Sequence, residues 1–135
     1  MDEAKRAGIE ADCLRLCRLF FVLSDRGEAE GYANLYIEDG TFERPGLSVR
    51  GREQVAAAIR ARPAHLVMRH LGITALIDVI SEDEAKGMGS HMLLMYDRLT
   101  GRAEPPQVGD FVDSYVRTEQ GWRIASRVVN SAFSS

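Results

Sequence analysis

The second half of the chain is patterned as two long antiparallel hairpins, and this feature constrains the fold more than any other. Residues 65–99 form two apolar runs around the acidic turn SEDE, and residues 108–133 form two more, joined at TEQG. Runs of this length bounded by turn residues are typical of paired strands. The loop TGRAEPPQ, which holds two of the four prolines, separates the hairpins. The sequence therefore predicts a succession of antiparallel strands.

The first half of the chain carries helical spacing instead. Apolar residues recur at a helical period over Glu3–Leu23, again over residues 28–39, and again over residues 51–62, where Pro63 ends the pattern. Residues 40–51 predict two short strands around a Pro-Gly turn. Helices followed by hairpins predict an α+β fold, with the helices packed on one face of a strongly curved, mostly antiparallel sheet.

Composition and charge exclude several classes of function. The 135 residues predict a single domain over 1–135, and the formal net charge of -3 comes without any basic run, so we expect no nucleic-acid partner. No apolar run approaches the ~18 residues of a membrane span, and the charged N-terminus lacks a signal-peptide core. Cys13 and Cys17 lie four residues apart, a poor spacing for a helical disulfide. We therefore expect reduced core thiols in a cytoplasmic protein.

His70 and Asp25 are the first candidates for chemistry. His70 stands near the start of the apolar strand MRHLGITALIDV, where alternation groups it with Gly72, Thr74 and Leu76 on one face. Imidazole titrates close to neutral pH and suits proton transfer, although a strand histidine can also be purely structural. Asp25, within SDRGE, is either a pocket carboxylate that orients an imidazole or a helix-capping or turn residue.

The later strands offer further candidates. His91 shares a face with Met95 and points either into a pocket or to the surface. Asp113 shares a face with Phe111, and it is either a pocket carboxylate or the partner of an arginine on a neighbouring strand. The glycines of GMGS predict close backbone approach. The apolar candidates for a pocket wall, which are equally compatible with a plain core, are Phe20, Phe42, Leu66, Met95 and Phe111.

The three histidines do not form a metal-binding signature, and the chain contains no nucleotide-binding or nucleophile-elbow motif. We therefore expect neither a metal nor a cofactor.

Four segments together carry a family resemblance, namely FFVLSDRGEAEGYANLYIEDGTFE, VRGREQVAAAI, MRHLGITALIDVISEDEA and GDFVDSYVRTEQGWRIASRVV. In this order they resemble the SnoaL-like branch of the nuclear transport factor 2-like superfamily over Ala11–Phe133. The resemblance implies a cone-shaped α+β barrel of the cystatin-like type. The pairing of Asp25 with His70 is similar to that of the scytalone dehydratase and bile-acid dehydratase group, in which the two residues transfer protons.

The chain also departs from that group. A tyrosine expected near Asp25 is replaced by Phe20 and Phe21, and where one relative has an arginine on its last strand this chain offers VVNSAF. The nearest counterpart of a second pocket histidine is His91, with Met95 as the alternative occupant of that place.

The resemblance implies a cofactor-independent lyase, such as a dehydratase, or an isomerase that acts on a small hydrophobic, cyclic molecule. His70 would act as general base and then acid, oriented by Asp25. The predicted substrate-binding residues are Phe20, Phe42, Leu66, His91, Met95, Phe111 and Asp113. The alternative is a noncatalytic ligand-binding or assembly module. Epoxide hydrolysis is a third possibility, for which Asp113 has no evident arginine partner on a matching face. A homodimer is expected, with a trimer as the alternative.

Overall fold

In a computed structural model, which describes residues 1–133, three helices lie against a seven-stranded sheet. The last two residues of the predicted domain lie outside this range. The elements in chain order are α1 (Glu3–Arg26), α2 (Ala29–Ala33), β1 (Tyr36–Arg44), β2 (Leu47–Arg50), α3 (Arg52–Arg60), β3 (Leu66–Val79), β4 (Glu84–Asp97), β5 (Arg102–Ala103), β6 (Gln107–Thr118) and β7 (Gly121–Ser131).

The sheet is mixed and open. Its strand order is β2-β1-β7-β6-β4-β3, with β5 paired to β4. All pairs are antiparallel except β1 and β7, which run parallel. The predicted α+β class is therefore confirmed, whereas the barrel is not closed, because β2 and β3 form the two ends of the strand order. Helix α1 packs mainly on β3, and α3 packs on β1 and β2, so the helices cover the concavity between these ends.

Helix α1 extends three residues past the apolar spacing of Glu3–Leu23 and ends at Arg26, within the segment SDRG where a stop is predicted, so that Asp25 lies in its last turn. The side chain of Asp2 caps the N-terminus by accepting the Lys5 N–H at 2.7 Å. Gly27 ends the helix in the left-handed conformation at φ 70°, which a residue without a Cβ adopts at little cost. Within residues 1–133, no helix is both long and apolar enough to cross a membrane.

The predicted second helix is half wrong. Only Ala29–Ala33 is helical, and Tyr36 already belongs to β1. The carbonyl of Leu35 accepts the Ile124 N–H at 2.7 Å, and Tyr36 pairs with Ile124 in the parallel ladder. This long-range pairing with β7 outweighs the local helical periodicity, because a five-residue helix has little stability of its own.

The alternation predicted for β3 is wrong beyond His70. The register between β3 and β4 shifts between Leu71 and Thr74, and Gly72 adopts φ 61°. This bulge exchanges the two faces of the strand: Leu71 is 46 % exposed, Leu76 is 65 % exposed, and Ile73 packs against the core. His70 therefore points inward without taking Thr74 and Leu76 with it.

The close approach predicted for GMGS is confirmed. A Cβ on Gly89 would lie 1.9 Å from the carbonyl oxygen of Thr74, and one on Gly87 would lie 2.9 Å from the Tyr115 ring. Only glycine permits β3, β4 and β6 to pack this closely.

Candidate active site

A cavity of about 480 Å³ lies between the helices and the sheet. Its wall draws on α1, α2, α3 and on strands from β1 to β7, so it lies at the centre of the fold. Phe20, Phe42, Leu66 and Met95 line it as the sequence predicted, and so do His70 and His91. The volume suits a small organic molecule.

Asp25 and His70 meet at the wall of this cavity. One carboxylate oxygen of Asp25, Oδ2, accepts the backbone N–H of His70 at 2.8 Å, and the other, Oδ1, lies 2.5 Å from His70 Nδ1. The side chain of Asp25 is 9 % exposed, and that of His70 is 11 % exposed. With Nδ1 engaged by the carboxylate, Nε2 is the ring nitrogen left for a ligand in the cavity. The arrangement is that of an imidazole oriented by an acid.

His91 lies beside His70 but has a different environment. The ring centroids are 4.9 Å apart, and His91 is 6 % exposed. Burial lowers the pKa of His91 to about 4, and the neighbouring His70 acts in the same direction. Neither ring nitrogen of His91 has a hydrogen-bond partner among the described residues. A neutral imidazole carries one donor and one acceptor, and in His91 both ring nitrogens are buried without a partner within the described residues.

The sequence left open whether His91 or Met95 faces the pocket. Both do, because they lie four residues apart on the same face of β4 together with Leu93.

Phe111 and Asp113 do not line the cavity, contrary to the prediction that they bind substrate. They are 2 % and 1 % exposed and lie one layer beneath the wall. Asp113 instead pairs with an arginine on a neighbouring strand, which is the alternative that the sequence left open. Arg127, which stands opposite Asp113 in the β6–β7 register, donates from Nε at 2.6 Å and from Nη2 at 2.5 Å.

Arg127 also corrects the expectation that the last strand offers no arginine. It directly precedes VVNSAF, lies within β7 and is completely buried. Burial lowers its pKa, but the Asp113 carboxylate more than offsets this and raises the pKa above its ordinary value. The hydroxyl of Tyr115 donates to Asp113 at 2.5 Å, and Arg127 Nη2 lies 3.3 Å from the sulfur of Cys17.

Two aromatic rings lie between this buried ion pair and the two histidines. The Arg127 guanidinium lies 3.8 Å from the centroid of the Phe20 ring and 4.8 Å from that of Phe21. The Phe21 ring in turn lies 5.0 Å from His70 and 5.1 Å from His91. The two phenylalanines that replace the expected tyrosine thus connect a fixed cation to the imidazole pair.

Sequence reasoning missed several polar residues of the wall, namely Ser24, Tyr32, Arg44 and Arg62. The hydroxyl of Tyr32 lies 2.9 Å from that of Tyr36, and burial raises the Tyr32 pKa to about 12. Helical periodicity had identified Tyr32 only as an apolar position. No local signal marked Arg62, because it follows the last turn of α3 and is held at the cavity wall by long-range hydrogen bonds to Ser24 of α1.

No group of three or more His, Cys, Asp or Glu in the part of the chain that the structure describes is arranged to hold a metal ion. The chemistry available at the wall is therefore that of the imidazoles, the guanidinium groups, the hydroxyls and the carboxylate of Asp25.

Comparison with known proteins bears on this site through the fold. A family model described as the SnoaL-like domain matches residues 6–128, which is most of the chain. The chain belongs to the SnoaL-like family. A comparison with curated protein sequences gave no significant match.

Solved structures share the SnoaL-like architecture. Rv3472 of Mycobacterium tuberculosis, described as a protein of unknown function, has a TM-score of 0.83 and 26% identity, over 97% of this chain and 76% of its own. ActVI-ORFA of Streptomyces coelicolor has a TM-score of 0.78 and 21% identity, over 94% and 99% of the two chains.

A type 2 hexachlorocyclohexane dehydrochlorinase, LinA, has a TM-score of 0.87 at 14% identity, over 98% of this chain and 90% of its own. Other structures of this shape are described as ketosteroid isomerase-like or as of unknown function. At such identities the similarity establishes the fold of this SnoaL-like protein, which enzymes and uncharacterised proteins share.

Proposed function

We propose that this SnoaL-like protein is a cofactor-independent lyase or isomerase that acts on a small hydrophobic molecule. The observation that carries the proposal is the contact between Asp25 and His70 at the wall of a largely apolar cavity. A histidine at the edge of an apolar strand needs no carboxylate to fold. A histidine that is paired with a carboxylate beside a ligand-sized space has the arrangement that proton transfer requires.

In the proposed reaction, Nε2 of His70 removes a proton from a carbon next to a carbonyl group. The carboxylate of Asp25 stabilises the imidazolium that results, and its second bond, to the His70 backbone N–H, keeps the ring oriented. The electron pair of the broken C–H bond moves toward the carbonyl oxygen. The imidazolium then returns its proton, either to a departing hydroxyl, as in a dehydration, or to another carbon, as in an isomerisation.

His91 is the proposed donor to the substrate oxygen. It is neutral near pH 7, because its pKa is lowered to about 4, and its nitrogens have no partner within residues 1–133. A neutral imidazole N–H can stabilise the developing enolate without competing with His70 for the proton. Phe20 and Phe21 offer no hydroxyl for this purpose, and we assign the role to His91 because its ring lies 4.9 Å from that of His70.

The apolar wall sets the substrate class. Phe20, Phe42, Leu66 and Met95 surround the space next to the histidines, and flat rings pack well against phenylalanine and methionine side chains. We infer that the substrate is a compact cyclic compound that carries a carbonyl group.

Exchange of carbon-bound hydrogen tests the proposal without knowledge of the natural substrate. A panel of cyclic ketones such as 1-tetralone is incubated with the protein in D₂O, and loss of the proton signal next to the carbonyl is followed by NMR. We expect the wild type to accelerate exchange and His70→Ala to lose the acceleration. His65→Ala, which removes a histidine outside the cavity wall, serves as the matched control and should retain it.

The alternative function, a noncatalytic binding module, predicts a different outcome. In that case ketones would bind, as detected by shifts of the wild-type amide signals, and no member of the panel would exchange faster than in buffer. Wild-type acceleration that persists in His70→Ala would assign the exchange to another group and contradict the mechanism.

We also propose that the chain forms a homodimer through the outer face of its sheet. Leu76, Met88 and Val112 are neighbours in the ladder register and are 65 %, 56 % and 54 % exposed. An exposed apolar row of this kind is typical of protein interfaces. Light scattering of the wild type and of Met88→Glu tests this: we expect a dimer that the substitution dissociates, and a wild-type monomer or trimer would contradict it.

A cytoplasmic location belongs to the same proposal. Cys13 and Cys17 are both free thiols in the structure, as is usual in a reducing compartment.

A further inference from the structure

The charge of the cavity wall is opposite in sign to that of the protein. The chain has a formal net charge of -3, but the residues that line the cavity include Arg44 and Arg62 and neither aspartate nor glutamate. Asp25 compensates part of this charge from behind His70, where both of its oxygens are engaged. A cavity that collects cations on an acidic protein favours an anionic ligand.

Arg62 is held in place but is not neutralised. Its Nη1 and Nη2 donate to the carbonyl oxygen and the hydroxyl of Ser24, the latter at 2.7 Å. No carboxylate lies within ion-pair distance of Arg62 among the residues described. A guanidinium has five N–H donors, so three remain after these two bonds. Burial lowers the pKa of Arg62, and the nearby Arg44 acts in the same direction. Tyr32 and Asp25 raise this pKa in opposition, and an anion beside both arginines would raise it further.

Arg44 is the second arginine of the cavity wall, and it reaches solvent. It is exposed, it lies at the turn between β1 and β2, and its side chain donates to the Pro45 carbonyl at 3.2 Å. Tyr32, Arg44 and Arg62 all line the same cavity. The histidines occupy the more buried part, since His91 is 6 % exposed.

The cavity wall therefore combines three kinds of group: buried imidazoles, apolar side chains, and two guanidinium groups, of which that of Arg44 is exposed. We propose that Arg62, assisted by Arg44, binds the carboxylate of a hydrophobic organic acid whose ring extends toward His70. A planar carboxylate matches the paired donors of a guanidinium. The expectation that the ring of this ligand undergoes proton transfer rests on the proposed function. Recognition of its carboxylate does not.

The test uses two compounds of the same shape and different charge, 2-naphthoate and 2-naphthamide. Both are titrated into the protein by calorimetry. We expect the wild type to bind the carboxylate about tenfold more tightly than the amide, since charge-assisted hydrogen bonds exceed neutral ones by this order. Arg62→Gln should reduce the ratio to near one, mainly by weakening the carboxylate, and Arg62→Lys should retain part of it.

Arg60→Gln is the matched control. It removes the same charge from the end of α3, but Arg60 faces solvent and lies 3.7 Å from Glu30, outside the cavity wall. It should leave the ratio unchanged. Arg44→Gln, a substitution at an exposed position that should not impair folding, is expected to reduce the ratio about threefold, the size typical of a weakly screened surface charge.

The outcomes separate this inference from the proposed function. His70→Ala should keep the preference for the carboxylate even if it abolishes hydrogen exchange. Equal weakening of both compounds by Arg62→Gln would mean that Arg62 serves only to hold the end of α1, and would overturn the inference. A wild type that binds the amide as tightly as the carboxylate, or that binds neither at millimolar concentration, would overturn it as well.

Discussion

Asp25 binds His70 twice, at the backbone and at the ring. Oδ2 accepts the backbone N–H at 2.8 Å, and Oδ1 lies 2.5 Å from Nδ1. Because one carboxylate fixes both the strand and the imidazole, it connects the last turn of α1 to β3 and sets the ring orientation at the same point. The chemistry proposed for His70 depends on this double contact.

Asp25→Asn should therefore impair exchange catalysis more than folding. The amide oxygen can still accept the backbone N–H of His70, but the amide cannot stabilise an imidazolium, and its NH₂ group would then face Nδ1 as a donor and favour the wrong tautomer. We expect the rate of ketone exchange to fall by about 10²–10⁴-fold, the usual contribution of general acid–base catalysis. Thermal unfolding measured by circular dichroism should show a folded protein. A variant with the wild-type rate would contradict the role of the carboxylate.

His91 should make the protein less stable in acid. Its pKa in the folded protein is about 4, against 6.5 for an ordinary histidine. Between these values the unfolded chain binds a proton that the folded chain does not, so the free energy of unfolding falls as the pH drops from 6.5 to 4. The loss from this group is about 3 kcal/mol.

The pH effect is measured by urea unfolding of the wild type and His91→Leu across this range. The variant lacks the titrating ring, while the charges that act on it, His70, Arg127, Asp110 and Asp25, remain. We expect the stability difference between the two proteins to shift in favour of the variant as the pH falls. A difference that does not change with pH would contradict the buried neutral state of His91.

Removing Arg127 should destabilise the fold strongly. Arg127→Met leaves the Asp113 carboxylate buried with only the Tyr115 hydroxyl as a donor, and an uncompensated buried charge costs about 3–5 kcal/mol. Arg117→Met is the control, because Arg117 and Asp83 form a similar contact at 2.6 Å with both side chains more than half exposed.

The surface substitution should cost less than about 1 kcal/mol in the free energy of unfolding. Urea denaturation of both variants measures the contrast. Similar losses for the two would show that the buried pair contributes no more than a solvated one.

Two glycines of neighbouring strands should respond differently to alanine. Gly72→Ala introduces a Cβ into open space but at φ 61°, so we expect a loss of about 1 kcal/mol from the backbone alone. Gly89→Ala places its Cβ 1.9 Å from the Thr74 carbonyl oxygen, so β3 must move, and we expect a loss of more than about 2 kcal/mol. Equal losses in denaturant unfolding would contradict the close contact of β3 with β4.

The long strands and the long helix were predictable, because apolar periodicity and turn residues report on local structure and burial. The bulge at Gly72 was not, since a single inserted residue leaves the pattern of hydrophobic residues nearly unchanged. The same limit explains why Tyr36 was predicted to be helical. It belongs to a strand because β7 lies alongside it. Periodicity contains no information about such distant pairing.

The same distinction between local signals and long-range contacts applies to the residues of the candidate site. Asp25, His70 and His91 were identified from residue type and family resemblance, which favour groups with titratable side chains in apolar surroundings. Arg127 and Arg62 were missed as parts of the site, because Arg127 meets its partner only across the β6–β7 register and Arg62 meets Ser24 only through a long-range contact with α1. Their roles depend on tertiary contacts that leave no local signature.

The nitrogen-15 spectrum of the His70 ring tests the central claim most directly. Long-range proton–nitrogen correlation near pH 7 identifies which ring nitrogen carries the proton, and His70→Gln assigns the signal. We predict a proton on Nδ1 and an unprotonated Nε2 in the wild type, with loss of this preference in Asp25→Asn. A proton on Nε2 in the neutral ring of the wild type would contradict the account, because His70 would then have no base to offer to the cavity.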